Sequence, residues 1–142
     1  MAEPPGAHEA PPADLYPGGA LPEVYTALAA LAPGAVILEL PVGSPAWDVR
    51  AVFYSTAHWH DLVNGYSGGF PQRYVATAAA LSRPAGEPGR ARAALRQSGA
   101  THAVVHRAAY VNDGDRAVVQ WLEATGAVRA GEFGSDVLYQ LP

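Results

Sequence analysis

The residues best equipped for chemistry gather in one run, His58-Trp59-His60-Asp61-Leu62-Val63-Asn64-Gly65-Tyr66-Ser67-Gly68-Gly69-Phe70-Pro71. Three chemistries fit it. His58 and His60 form an H-x-H pair. On a strand both rings face one side and could share a metal, whereas on a helix they diverge by about 200°. A tetrahedral site needs three or four ligands, and Glu39, Asp61 or His106 would have to supply the rest. The structural alternative is that His58 hydrogen-bonds a neighbouring loop and His60 is exposed. The second chemistry is ligand binding. Glycines 65, 68 and 69 permit close backbone approach, and Pro71 opens a helix whose N-terminus favours an anion. The turn has neither a Walker lysine nor dinucleotide glycine spacing. A sugar also suits it, with Trp59, Tyr66 and Phe70 stacking and Asn64 and Ser67 bonding hydroxyls. The plain alternative is a tight strand-to-helix turn. The third is acyl transfer. Gly65-Tyr66-Ser67-Gly68-Gly69 matches G-x-S-x-G, the nucleophile elbow. Ser67 would then attack and His106 would be its base. Asp113 and Asp115 come too late for the usual triad order, and the chain is short for a hydrolase sheet.

Two residues outside the run belong with it. Glu39 interrupts the apolar segment Ala35-Val36-Ile37-Leu38-Glu39-Leu40 near its C-terminal end. Sites in open α/β sheets form at such ends. A buried carboxyl there could transfer protons, or pair with His58, an arginine or backbone N–H groups and fix the loop. His106 closes the second apolar strand. If the two strands are parallel neighbours, Glu39, His58, Asn64, Tyr66 and His106 converge, together with Tyr110. They then form either a polar pocket or a hydrogen-bonded latch.

The elements that must position them follow from periodicity. Residues 22–31 predict a short helix with Val24, Leu28 and Leu31 on one face, opened by Pro22 and stopped at Pro33-Gly34. Residues 35–40 and 101–106 predict strands buried on both faces. Residues 49–59 fit either a helix with Val49, Val52, Phe53 and Ala57 as its stripe or the strand alternation of Val49, Ala51 and Phe53; the loop-then-helix βα step favours the helix, which Asp48 could cap. A short strand over 62–64, a glycine-rich turn over 65–69 and a helix over 71–81 come next. Further helices are expected at 90–98, closed by Gly99, and from near Asp115 to Gly126. Strands over 128–133 and 137–141 are joined by Gly134-Ser135-Asp136, a hairpin signal. The order predicts an α/β fold: a small three-layer domain with a mainly parallel sheet and an antiparallel C-terminal hairpin.

Composition bounds the partners. The chain has 142 residues, one domain's worth. Residues 1–20, dominated by Pro, Ala, Gly and Glu, are expected to be a flexible lead-in to a single domain over 21–142. The chain has no cysteine, so no disulfide and no thiolate metal site. Its nine basic residues are all arginines, scattered in a chain of net charge -4, which argues against a nucleic-acid groove. No segment approaches the about 20 apolar residues of a membrane helix. No basic segment followed by an apolar stretch marks a signal peptide. No cofactor is implied.

The ordered segments Val36-Ile37-Leu38-Glu39-Leu40-Pro41, Phe53-Tyr54-Ser55-Thr56-Ala57-His58 and Leu62-Val63-Asn64-Gly65-Tyr66-Ser67-Gly68 carry a resemblance. With Gly99 to His106 and the terminal Val137-Leu138-Tyr139-Gln140-Leu141, they resemble the C-terminal soluble region of large bacterial multi-pass membrane proteins. These are C-fold glycosyltransferases related to mannosyl- and arabinosyltransferases that use lipid-linked sugars. The resemblance spans roughly residues 20 to 142. It implies a non-catalytic domain on the extracytoplasmic face of a bacterial membrane. Its partner would be the membrane transferase domain, in cis or in trans, and it would bind a glycan or lipid-linked acceptor, or simply brace that domain. The catalytic carboxylates and lipid-phosphate site of such enzymes lie in the membrane region, so no catalytic residue carries over. The alternatives are a small stand-alone hydrolase using Ser67 and His106, and a cytosolic structural or interaction module. Tentative ligand-binding residues are Glu39, His58, Asn64, Tyr66, Ser67 and His106, with no metal site assigned.

Overall fold

The computed structural model describes residues 21–64 and 72–142. The central strands are the two apolar runs, β1 (Val36–Leu40) and β3 (His102–His106), paired in parallel with Glu39 opposite Val104. β2 (Asp61–Leu62) adds a short parallel edge to β1. On the other side the hairpin β4 (Val128–Phe133) and β5 (Asp136–Gln140) joins antiparallel through β5, giving the order β2-β1-β3-β5-β4. The α/β architecture is therefore as the sequence predicts, parallel at the core with an antiparallel C-terminal hairpin.

Strand alternation sorts the core onto two faces. Leu38, Leu40, Ala103, Val105, Val137 and Tyr139 face α3 (Gln72–Ser82), α4 (Pro88–Ser98) and α5 (Gly114–Ala124). Ile37, Val104 and Leu138 face α1 (Glu23–Ala29) and α2 (Pro45–Ser55). Helices on both faces of one sheet make the third layer. Glu39 and His106 belong by the same two-residue period to the α1/α2 face. A single 3₁₀ turn, Arg107–Ala109, follows β3; the sequence reading did not include it.

Two glycines do conformational work. Gly99 takes φ +74 after α4 and ends it in the left-handed region, as expected. Gly43, at φ +86, lets the loop after β1 pass α3 so closely that a Cβ there would sit 3.1 Å from the Ala78 Cβ.

α2 corrects the sequence reading. It spans Pro45–Ser55 rather than 49–59, with Pro45 in its first turn. Asp48 is not its cap: it sits in the first turn, and its carboxylate accepts the Gly43 N–H at 3.1 and 3.3 Å. The expected inward stripe is turned outward. Val49 and Val52 are 55% and 45% exposed, while Trp47, Ala51 and Tyr54 are buried. The helix is apolar on both sides, so periodicity could not choose a face. Ring stacking did: Tyr54 lies on Tyr25 with centroids 4.5 Å apart, and Trp47 lies on His106. β2 is likewise shorter than its predicted span and stops before Val63 and Asn64.

Candidate functional site

The connections place the site. From β1 the chain crosses through α2 on one face to β2, then returns through α3 and α4 on the other face to β3. The crevice beyond the carboxyl ends of β1 and β3 is thus a topological switch point, where open α/β sheets bind ligands. Glu39 and His106 stand there, diagonal neighbours on the α1/α2 face. Asp136 starts β5 directly opposite His106.

These groups fill the crevice rather than line it. Glu39 and His106 are each only 2% exposed. The His106 Nε2–H donates to Glu39 Oε1 at 2.6 Å and its Nδ1–H to Asp136 Oδ1 at 2.8 Å. Tyr25, from α1, donates its hydroxyl to the same Glu39 Oε1 at 2.7 Å. Arg50, from α2, donates to the Tyr25 oxygen at 2.9 Å. The Arg50 guanidinium lies 5.0 to 5.6 Å from the ring centroids of Tyr54, Trp47 and Tyr25. The result is a relay from Arg50 through Tyr25, Glu39 and His106 to Asp136, in which cations and carboxyl groups alternate. Trp47 stacks over His106 at 5.2 Å and covers it.

The electrostatics follow from that geometry. Burial opposes charge on His106, but its hydrogen bonds to Asp136 and Glu39 outweigh the penalty and hold its pKa above the ordinary histidine range. The raised pKa favours the imidazolium, the form in which both ring N–H groups are committed to carboxyl groups. In that form the ring has no lone pair with which to take a proton from a hydroxyl. Burial, and next the Glu39 charge, push the Tyr25 hydroxyl far above the usual phenol range, so it stays a donor.

Asn64 has a different task. β2 has ended, yet the Glu39 peptide still needs a neighbour. The Asn64 side chain supplies one: Oδ1 accepts the Glu39 N–H at 2.7 Å, and Nδ2 donates to the Glu39 carbonyl at 2.6 Å. The amide thus continues the ladder that the Val63 N–H makes with the Ile37 carbonyl. Nδ2 also reaches Asp48 Oδ1 at 3.1 Å. One side chain therefore ties together β1, the exit of β2 and, through Asp48, the loop at Gly43.

His58 stands beside the relay, its ring parallel to Tyr25 at 6.5 Å. Its Nδ1 accepts the His60 N–H at 3.0 Å, while its Nε2 and Glu39 Oε2 are buried without a hydrogen-bond partner among the described residues. Burial lowers its pKa, partly countered by Glu39. His60 is not the fully exposed residue of the structural alternative: its Nε2–H donates to the Leu28 carbonyl at 2.8 Å. The described residues contain no group of three His, Cys, Asp or Glu placed to hold a metal.

The expected convergence of Glu39, Asn64 and His106 is therefore present, with His58 adjacent. Tyr110 does not join it; it packs against the cluster on the opposite face of the sheet. Tyr66 and Ser67 lie outside the described residues. Tyr25, Trp47, Arg50 and Asp136 were missed. A signal existed only for Asp136, whose place in the hairpin register opposite His106 follows once β3 and β5 are paired. No helix among the described residues is long and apolar enough to cross a membrane. Compared with known proteins, the chain matches no protein-family model, no curated protein and no solved structure.

Proposed function

We propose that this chain is a non-catalytic accessory domain of a bacterial membrane glycosyltransferase, placed on the extracytoplasmic side and braced against the transferase's membrane portion. The observation that carries this reading is the closed relay. Among the described residues, Glu39, Asn64 and His106 are spent on one another and on Tyr25, Arg50 and Asp136 at the switch point, where they tie α1, α2, β1, β3 and the hairpin together. The ordered resemblance to the soluble end of such transferases supplies the context. The outer face of α2 agrees with it: Pro45, Ala46, Val49 and Val52 are exposed with no charged residue among them, the surface of a helix that docks on an apolar neighbour. The hydrolase alternative needs His106 as a base, and both of its ring nitrogens already donate to carboxyl groups.

The test is made in the native cell with an antibody to the domain. Intact spheroplasts are expected to expose the antigen to added protease. Membranes from a strain lacking the domain are expected to lose transfer from a polyprenyl-phosphate sugar. Antigen confined to the cytosol, with transfer unchanged, would overturn the proposal.

A further inference from the structure

At the opposite end of the parallel strands from the relay, an open cleft of about 390 Å³ lies between the α1–β1 turn and the segment that enters β2. Its volume falls within the range of about 300–1,000 Å³ typical of small-ligand sites. Leu31, Pro33 and Gly34 form one wall; Trp59, His60 and Asp61 form the other.

Trp59 is the unusual member. It is 81% exposed, the most exposed of the large apolar residues described. It also sits at φ +58, in the left-handed region, which a bulky side chain adopts at a cost of about 1–2 kcal/mol. The chain holds it there with four contacts. The Trp59 N–H donates to the Ser55 carbonyl at 2.7 Å. The flanking rings of His58 and His60 stack at 5.4 Å, the His60 N–H donates to His58 Nδ1, and the His60 ring is tied to Leu28. A bulky aromatic fixed outward against its backbone preference, at the mouth of a cleft, is the mark of a recognition surface.

The lining then selects the ligand. It contains no arginine and no lysine, and it presents the exposed Asp61 carboxylate, whose backbone is fixed by pairing with Val36. The two histidines of the lining, His58 and His60, already hydrogen-bond to one another and to the Leu28 carbonyl, so an anion finds no fixed cation there. A quaternary ammonium needs an aromatic cage rather than one indole. A ring with an apolar face and hydroxyls at its rim satisfies both groups, because the indole face takes the C–H surface and the carboxylate takes O–H donors.

We propose that this cleft binds a neutral saccharide, stacked on the Trp59 indole and hydrogen-bonded to Asp61. The choice of a saccharide among neutral hydroxyl-bearing ligands rests on the transferase reading; the cleft and its outward indole do not.

The chain carries its own reporter. Of its three tryptophans, Trp47 and Trp121 are buried, so acrylamide quenching reads Trp59. Mannotriose and maltotriose are the probes, with trigalacturonate and choline as charged controls. A neutral trisaccharide is expected to protect the indole saturably, and neither control should do so. Trp59→Gly, followed by calorimetry, is expected to weaken binding about two- to tenfold, the loss of one aromatic stacking partner. The same change relieves the positive φ and should raise Tm, so lost binding cannot be ascribed to unfolding. Asp61→Asn should weaken binding while leaving the stack intact. Absence of response to both neutral sugars, preference for choline, or undiminished binding by the Trp59→Gly chain would overturn the proposal. Saccharide binding by a domain found in the cytosol would keep the cleft and retire the transferase reading. A domain on the membrane face that binds neither sugar would do the reverse.

Discussion

Replacing Asn64 with Ala tests the claim that one side chain completes the edge of β1. The substitution removes the acceptor for the Glu39 N–H and the donor to the Glu39 carbonyl, at 2.7 and 2.6 Å. Asn64 is 1% exposed and Glu39 2% exposed, so water cannot take over without local opening. Each buried backbone group left unpaired costs about 1–3 kcal/mol. Two such groups put the loss at about 2–6 kcal/mol, a fall in Tm of about 8–24 °C for a domain of this size. Urea denaturation followed by circular dichroism measures it. Asn64→Asp is the sharper control, because its volume is unchanged. One carboxylate oxygen can still accept from Glu39, but the other cannot donate to the carbonyl and stands beside Asp48. Its deficit should therefore shrink as pH falls and the new carboxyl takes up a proton. A loss below about 1 kcal/mol in the Ala variant would refute the reasoning, since it is smaller than the least cost of two orphaned groups. A deficit in the Asp variant that does not vary with pH would refute it independently.

Further expectations concern the relay and the loop beneath it. The raised His106 pKa stabilises the fold fully below the unfolded value of about 6.5, and that stability is lost as pH rises through the folded pKa. A denaturation series from acid to alkaline pH should show this alkaline decline, and Asp136→Asn should shrink it and bring its upper end to lower pH. His58 acts in the opposite sense. Its lowered pKa means the folded state resists protonation, so stability begins to fall below about pH 6.5 and continues down through the folded pKa; His58→Gln should flatten that acid limb. Tyr25→Phe removes the hydroxyl between Arg50 and Glu39 and should cost about 1.5–3 kcal/mol in the same denaturation assay. Gly43→Ala should destabilise more than Gly99→Ala. Both positions have positive φ, worth about 1–2 kcal/mol to a Cβ, but only at Gly43 does that Cβ also crowd Ala78. Equal Tm losses would remove the close approach as a cause.

The relay also explains why a carboxyl and a histidine interrupt otherwise apolar central strands. An unpaired charge on this face would be severely destabilising. Here every partner comes from a different element: Tyr25 from α1, Arg50 from α2, His106 from β3 and Asp136 from β5. Such a network rewards one arrangement of the helices over the sheet and penalises slipped ones. The Asn64 amide does the same for the end of β2.

The sequence by itself determined the frame. Apolar runs ending near Pro41 and at His106 marked buried central strands, with Glu39 and His106 near their C-terminal ends; parallel pairing then brought those ends together. Gly99 and the 134–136 turn marked their boundaries through local backbone preference. These features act within a few residues, where chain chemistry alone sets the outcome. The partners of the charges were decided elsewhere. Glu39 meets Tyr25 across 14 residues and His106 across 67, and the His106 contact to Asp136 spans 30. No local rule encodes such pairings; they exist only once the strand order and the seating of α1 and α2 are set. The face of α2 shows the same limit most plainly. Val49 and Val52 are as apolar as Ala51, and what buried Trp47 and Tyr54 instead was the presence of His106 and Tyr25 to receive their rings.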